Sequence, residues 1–113
     1  MFEFWHVQYH VDGLSKGKEF FGKLFGWKME SAPGMEDYIL FETGNADLGG
    51  GITGMGKPDT IVYVTVPNVD EWIAKAVELG ATVALPASPL PEGMGSVAII
   101  VSPDGNPIGL YSK

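Results

Sequence analysis

Two segments of the chain alternate between apolar and polar residues in the way that predicts β-strands. Residues 60–66 are all β-branched or aromatic, with valine at each even position from 62 to 66. Residues 5–11 carry apolar side chains at the odd positions, whereas His6, Gln8 and His10 occupy even ones. Because successive side chains of a strand point to opposite faces, the valines and the apolar odd positions of residues 5–11 are assigned to helix-covered cores. The opposite, polar-rich faces predict one shared cavity.

A helical pattern follows each of these strands. Residues 15–25 place apolar side chains at helical spacing, and Gly26 provides a left-handed stop. A second helix is predicted to begin after Asn68, an N-cap residue with Glu71 three positions further on, and to end at Gly80. Both apolar stripes are interpreted as core: Phe20, Phe21, Leu24 and Phe25 in the first helix, and Val69, Trp72, Ile73, Ala76 and Val77 in the second.

Turn residues divide the rest of each half into three short strands. Residues 86–95, rich in proline and glycine, are predicted to form a long loop, and residues 102–106 a tight turn between the last two strands. Residues 56–59 join the halves and are too short to separate domains. We therefore expect a single domain over residues 1–113, with module one at 1–56 and module two at 57–113.

The second half of the chain repeats the first. The segment 9–14 opens a stretch that ends at Phe25-Gly26-Trp27, and the segment 64–69, about 55 residues further on, opens a matching stretch that ends at Leu79-Gly80-Ala81. Each half is predicted to run strand, helix and three strands. The repeat indicates which residues occupy equivalent positions in the two halves.

Composition and charge exclude several classes of protein. The 113 residues include 14 acidic and 7 basic ones, giving a net charge of −7 that disfavours binding to nucleic acid or to anionic membranes. The chain has no cysteine, which excludes disulfides and thiolate metal sites and favours a reducing compartment. No apolar stretch is long enough to span a bilayer, and the N-terminus does not resemble a signal peptide. We expect a cytoplasmic protein.

The motifs and their order resemble the glyoxalase / bleomycin-resistance / extradiol-dioxygenase superfamily, also called the vicinal-oxygen-chelate fold. The resemblance rests on the two βαβββ halves, on Phe20-Phe21 followed by the segment 24–27, and on the segment 102–110. It implies an α+β fold in which two tandem βαβββ modules form a curved mixed sheet or partial barrel around a cleft. It also implies a homodimer and, in many members, a divalent metal held by the first and last strands of each half. Other members of the superfamily lack metal and simply bind a ligand.

The four metal positions that the resemblance implies are nearly empty of ligands here. They fall on His6, on Ile61, on Gly109 and within residues 49–51, which are all glycine. A catalytic divalent site needs about three protein ligands, and neither Ile nor Gly supplies one. We therefore expect no cofactor; a divalent metal at an atypical site is the alternative. The glycines are expected to leave a roomier and more apolar cleft.

The candidate site is built around His6, which is either a structural histidine or a pocket residue able to bind or protonate an oxygen-rich ligand. His10 is expected near the rim, in solvent. Alternation within the strands adds four further ligand-binding candidates and assigns no catalytic residue. The candidate ligand-binding residues are His6, Gln8, Tyr63, Thr65 and Tyr111.

The function that we expect is that of a glyoxalase-like, metal-independent protein binding a small organic ligand in the inter-module cleft. Two alternatives remain open. One is a glyoxalase-type lyase or isomerase, or a dioxygenase, with an atypical metal site. The other is a drug-sequestering protein of the bleomycin-resistance type, whose cleft binds without catalysis. Fold alone does not choose among them.

Overall fold

The computed structural model describes residues 2–54, 56–57 and 59–113, and its elements follow the order βαβββ twice. The predicted α+β class with two βαβββ modules is confirmed. The first module comprises β1 (Phe4–His10), α1 (Leu14–Phe25), β2 (Lys28–Ser31), β3 (Tyr38–Glu42) and β4 (Gly49–Thr53). The second comprises β5 (Asp59–Thr65), α2 (Val69–Glu78), β6 (Thr82–Pro89), β7 (Ser96–Val101) and β8 (Pro107–Ser112), with a 3-10 turn at Pro91–Gly93.

The chain divides into two compact units with the same internal topology. The N-terminal unit is His6–Ile61, and the C-terminal unit is Val62–Lys113 together with Met1–Trp5. The strand order is β2-β3-β4-β1 in the N-terminal unit and β5-β8-β7-β6 in the C-terminal unit. In each case the first strand of the module pairs in parallel with the last, and the remaining pairs are antiparallel.

The core of the N-terminal unit is a stack of aromatic rings between α1 and the sheet. Trp27 lies parallel to Phe41, with ring centroids 4.6 Å apart, and to Phe21 at 5.8 Å. Tyr9 stacks on Phe21 at 5.0 Å. The helix approaches the sheet closely at Gly17, where an added Cβ would lie 3.0 Å from the Val11 side chain. This contact gives the glycine inside a helix its packing reason.

The core of the C-terminal unit is aliphatic. Its buried residues are Val66, Val69, Ala98, Ile100 and Leu110, and α2 adds Trp72, Ile73 and Ala76. Val64 lies opposite Leu110 in the β5–β8 register, so the even positions of β5 do face this core, as predicted. The N-cap prediction is also confirmed, because the Asn68 side chain accepts a hydrogen bond from the Glu71 backbone N–H at 2.9 Å.

The loop predicted at residues 86–95 is wrong in its first half. Strand β6 continues through Pro86 to Pro89 and pairs with β7, with register shifts between Val83 and Leu85 and between Leu85 and Ser88. Because β6 is the last strand in the order of its unit, a proline there removes no hydrogen bond from an inner strand. The two register shifts accommodate the positions at which β6 and β7 do not pair regularly.

The core assignment of the α1 stripe is wrong for three of its four residues. Phe21 lies within the aromatic stack, but Phe20, Leu24 and Phe25 are each more than half exposed. Only part of the stripe meets the sheet, because two adjacent pairs of large residues, one turn apart, cover a wider arc of the helix than the sheet contacts. In α2 the same holds for Val77, which is about half exposed. Neither described α-helix has the length and apolar character needed to cross a membrane.

Candidate functional site

The even positions of β1 carry a row of polar side chains that are linked by hydrogen bonds. His6, Gln8 and His10 lie on one face of the strand, as the alternation predicted, and Tyr38 of β3 connects them. The Tyr38 hydroxyl is 2.6 Å from His6 Nε2 and 2.9 Å from Gln8 Oε1, and Gln8 Nε2 is 2.8 Å from His10 Nε2. We call these four side chains the polar row.

The direction of each hydrogen bond in the polar row follows from its neighbours. The Tyr38 hydroxyl donates to the Gln8 carbonyl oxygen, so its oxygen accepts from an N–H at His6 Nε2. The Gln8 amide nitrogen can only donate, so His10 Nε2 accepts. His6 is therefore assigned the Nε2–H tautomer and His10 the Nδ1–H tautomer. His10 is a partner in the row, not the solvated rim residue expected from the sequence.

Tyr38 reaches the polar row because the residue beneath its ring is a glycine. A Cβ added at Gly51 would lie 2.1 Å from Tyr38 Cε1. Gly51 is opposite Gln8 in the β1–β4 register, so the ring crosses β4 to reach β1. The expectation that this glycine leaves open volume is wrong, since an aromatic ring fills it. At Gly49, by contrast, an added Cβ would meet only the Phe41 carbonyl oxygen, at an ordinary 3.5 Å.

Burial determines the charge state of His6. It lowers the pKa of His6 to about 4, from about 6.5 for an exposed histidine, because a charged imidazolium would lose its hydration. The imidazole is consequently neutral near pH 7. It then carries a single N–H, in agreement with the hydrogen bond that Nε2–H donates to Tyr38. His6 is thus a neutral member of the polar row, beside Gln8, whose side chain is also buried.

The remaining candidate residues lie in the C-terminal unit and have a different character. Trp5 stacks on Tyr111 with centroids 3.7 Å apart and meets the Tyr63 ring edge-on at 6.1 Å. Tyr63 fills the space beside Gly109, where an added Cβ would lie 2.4 Å from Tyr63 Cδ2, so this glycine leaves no open volume either. Thr65 lies opposite Tyr111, whose hydroxyl donates to the Met94 carbonyl at 2.7 Å. A shared cavity of the two polar-rich faces stays a prediction.

The side chains at the metal positions that the sequence resemblance implies do not fit a divalent ion. His6 offers a single imidazole whose Nε2 is engaged by Tyr38, Ile61 is buried and apolar, and the space beside Gly109 is filled by the Tyr63 ring. Across residues 2–54, 56–57 and 59–113 there is no group of three or more His, Cys, Asp or Glu side chains placed to hold a metal. The donor set is too small for the catalytic sites that such ions form.

Comparison with known proteins places the fold. Residues 3–44, which include the whole polar row, match the family described as bleomycin resistance protein-like N-terminal. A glyoxalase/bleomycin resistance protein/dioxygenase superfamily member from Vibrio splendidus 12B01 is similar with a TM-score of 0.70 at 11% identity, over 99% of this chain and 98% of that one. No curated protein sequence matches significantly.

Two enzymes share the fold over part of their length. An extradiol ring-cleaving dioxygenase from B. fuscum is similar with a TM-score of 0.74 at 16% identity, over 100% of this chain and 33% of that one. A Mn(II)-bound glyoxalase from Novosphingobium aromaticivorans is similar with a TM-score of 0.69 at 19% identity, over 97% of this chain and 37% of that one. The chain therefore spans about a third of the length of each of these two enzymes.

The fold is that of the glyoxalase / bleomycin-resistance / extradiol-dioxygenase superfamily, and the resemblance drawn from the sequence motifs is confirmed. At these identities the similarity concerns the fold alone. Function has to be argued from the residues of this chain.

Proposed function

We propose that this protein is a glyoxalase-like binding protein that takes up a small, neutral, oxygen-bearing organic ligand at the polar row without a metal. The observation that carries the proposal is the hydrogen-bonded series His6–Tyr38–Gln8–His10. Binding sites for small molecules combine a few fixed polar groups with apolar surroundings, and this series fixes four of them on one sheet face.

The charge state of the row supports a neutral ligand. Because the pKa of His6 is lowered to about 4, this buried imidazole carries no positive charge near pH 7 that could pair with an anionic ligand. Hydroxyl and carbonyl groups, which exchange hydrogen bonds without changing charge, suit such a surface.

The same pKa argues against the alternative in which His6 acts as a general base. Acid–base catalysis works best when the pKa of the catalytic group lies near the operating pH, and His6 is a much weaker base than that. The poor fit of the donor set to a metal also disfavours a lyase, isomerase or dioxygenase with the superfamily's usual site. Binding without turnover is the function that these residues support best.

Drug sequestration of the bleomycin-resistance type is the second candidate. It is favoured by the family match over residues 3–44, the segment that holds all four members of the polar row. The two candidate functions differ only in the size and chemistry of the compound that is bound. The same binding measurement therefore tests both.

The test compares ligand binding in two tyrosine variants on opposite faces of the N-terminal sheet. Tyr38→Phe removes the hydroxyl that joins His6 to Gln8, while Tyr9→Phe alters a ring on the aromatic side. With metal-free bleomycin and a panel of neutral polyols and ketones, a hit measured by calorimetry should weaken about tenfold in Tyr38→Phe, the loss of roughly one hydrogen bond. Its affinity in Tyr9→Phe should stay unchanged.

Equal affinities in wild type and Tyr38→Phe for every hit would contradict binding at the polar row. Chemical conversion of a bound compound, followed by mass spectrometry, would replace the binding function with an enzymatic one. A stoichiometric transition metal in the purified protein would overturn the metal-independent proposal.

The cytoplasmic location and the homodimer belong to the same proposal. The lack of cysteine and the acidic charge support the first, and the superfamily resemblance supports the second. Light scattering on the purified protein should give twice the 12.1 kDa chain mass, and a monomeric mass would refute the dimer.

A further inference from the structure

The N-terminal unit contains a cavity of about 120 Å³ on the face of β1 opposite to the polar row. Val7 and Tyr9 line it from β1, and Trp27, Phe41 and Leu48 complete its apolar wall. Val7 and Tyr9 alternate with the histidines along the strand, so the cavity is separate from the proposed ligand site. Nothing in the proposed function uses this space.

The aromatic rings around the cavity are already stacked on one another. Trp27 stacks on Phe41 at 4.6 Å and on Phe25 at 4.7 Å, and Phe41 also stacks on Tyr9 at 6.1 Å. Because these rings stack face to face on one another, a ligand in the cavity contacts ring edges. Ring edges carry positive partial charge, so they attract the face of another aromatic ring and repel a cation.

Size restricts the ligand further. An apolar cavity of about 150 Å³ in another protein binds benzene, so about 120 Å³ has room for one six-membered ring at most. Polar groups lie at the mouth, where Thr43 and Asn45 are exposed. The Asn45 side-chain oxygen accepts from the Asp47 backbone N–H at 2.9 Å, and this contact orders the mouth and orients an acceptor there.

We propose that this cavity binds a single neutral aromatic ring, with a hydroxyl group directed towards the oxygens of Thr43 and Asn45. The ligand class is therefore that of simple phenols. Edge-to-face contact with Trp27 and Phe41 holds the ring, and the hydroxyl stays at the solvent-facing end.

The experiment titrates full-length protein with phenol and follows the Trp27 indole N–H and the Val7 methyl groups by NMR. Phenol should give saturable shifts at Trp27 and nuclear Overhauser contacts to the Val7 methyls. Indole, with two fused rings, and tetramethylammonium, a cation of similar size to one ring, should give neither. The Tyr38→Phe variant should bind phenol as the wild type does, so the fate of this proposal is independent of the ligand at the polar row.

A matched pair of leucine variants tests the location. Leu48→Phe enlarges a side chain that lines the cavity, and Leu79→Phe makes the same change at a highly exposed position of the C-terminal unit. Phenol affinity should fall about tenfold or more in Leu48→Phe and stay unchanged in Leu79→Phe.

Three results would overturn the proposal. Phenol shifts without contacts to Val7 would show that the cavity is only a packing defect. Indole or tetramethylammonium binding as tightly as phenol would refute the ligand class. Equal phenol affinity in a folded Leu48→Phe variant would refute the location, and the wild-type contacts to Val7 decide the matter if that variant does not fold.

Discussion

The two units use one topology for two kinds of surface. In the N-terminal unit Gln8 lies opposite Gly51, and in the C-terminal unit Tyr63 lies opposite Gly109 in the equivalent register. A tyrosine ring covers the glycine in both cases. It comes from the neighbouring strand β3 in the first unit, as Tyr38, and from the first strand of the module itself in the second.

The strand that supplies the tyrosine determines which side chains the sheet face of each unit carries. When the ring comes from β3, the first strand stays available for polar residues, and the tyrosine hydroxyl links them into the polar row. When the ring comes from the first strand, it fills the space itself and packs against Trp5, leaving an aromatic surface. One repeat thus yields a hydrogen-bonding face and an apolar face.

The largest difference between the units is expected from adding a methyl group beneath each tyrosine. Gly109→Ala would place Cβ within 2.4–2.7 Å of Tyr63 ring atoms that include Cγ, close to the backbone, so the buried ring cannot swing away. We expect a loss of about 3 kcal/mol in the free energy of unfolding, measured with urea. Gly51→Ala should cost less, about 1–2 kcal/mol, because it strikes only the far end of the Tyr38 ring.

Gly49→Ala is the control for both, since its added Cβ meets only a carbonyl oxygen at 3.5 Å. Its unfolding free energy should stay within about 0.5 kcal/mol of the wild type. Equal losses at all three glycines would mean that the tyrosine rings are not what these positions accommodate.

A smaller effect on stability is expected from a change of pH. Both histidines belong to the N-terminal unit. The folded-state pKa of His6, about 4, lies below the value of about 6.5 in the unfolded chain, so unfolding takes up a proton between these values. Stability should therefore fall as the pH is lowered through this window, by about 2 kcal/mol between pH 7.5 and 4.5, and this contribution should level off below pH 4.

The measurement is urea unfolding at both pH values in the wild type and in His6→Gln, which retains a donor for Tyr38. The pH-dependent loss should shrink by about 2 kcal/mol in His6→Gln. The same pH dependence in both proteins would show that burial of His6 does not set the response.

The smallest effects are expected at the starts of the two helices. Asn68 caps α2, whereas α1 begins after Gly13, which has no side chain to cap it. Asn68→Ala should destabilise by about 1 kcal/mol, and Gly13→Asp should stabilise by a few tenths, since its backbone is extended and the added Cβ has room. Thermal unfolding by circular dichroism measures both, and a gain from Asn68→Ala would contradict the capping assignment.

Much of the fold could be predicted from local pattern. Alternation placed His6, Gln8 and His10 on one face, and turn and cap residues located most of the elements. The sequence pattern was misleading where a residue is explained by the position of its strand in the sheet. The prolines of residues 86–89 predict a loop in isolation, yet they are tolerated in β6 because that strand is the last in its unit.

The candidate site was only half predictable, because part of it also depends on which strands are neighbours. Tyr38 was missed because its contacts with His6 and Gln8 join residues 32 and 30 positions apart. Whether its ring reaches the row depends on strand register and on the missing Cβ at Gly51. The glycine run beside a strand that begins with tyrosine was the signal available, but it was interpreted as open volume.

The sequence by itself determined the order of the elements and the repeat of the two modules. These depend on residue identity and on periodicity along the chain, which are local properties. Only the tertiary structure decided that tyrosines fill the glycine positions, that His6 is neutral and that four polar side chains form one row. Those outcomes depend on which strands lie side by side and on how much water each group loses, and no local pattern encodes either.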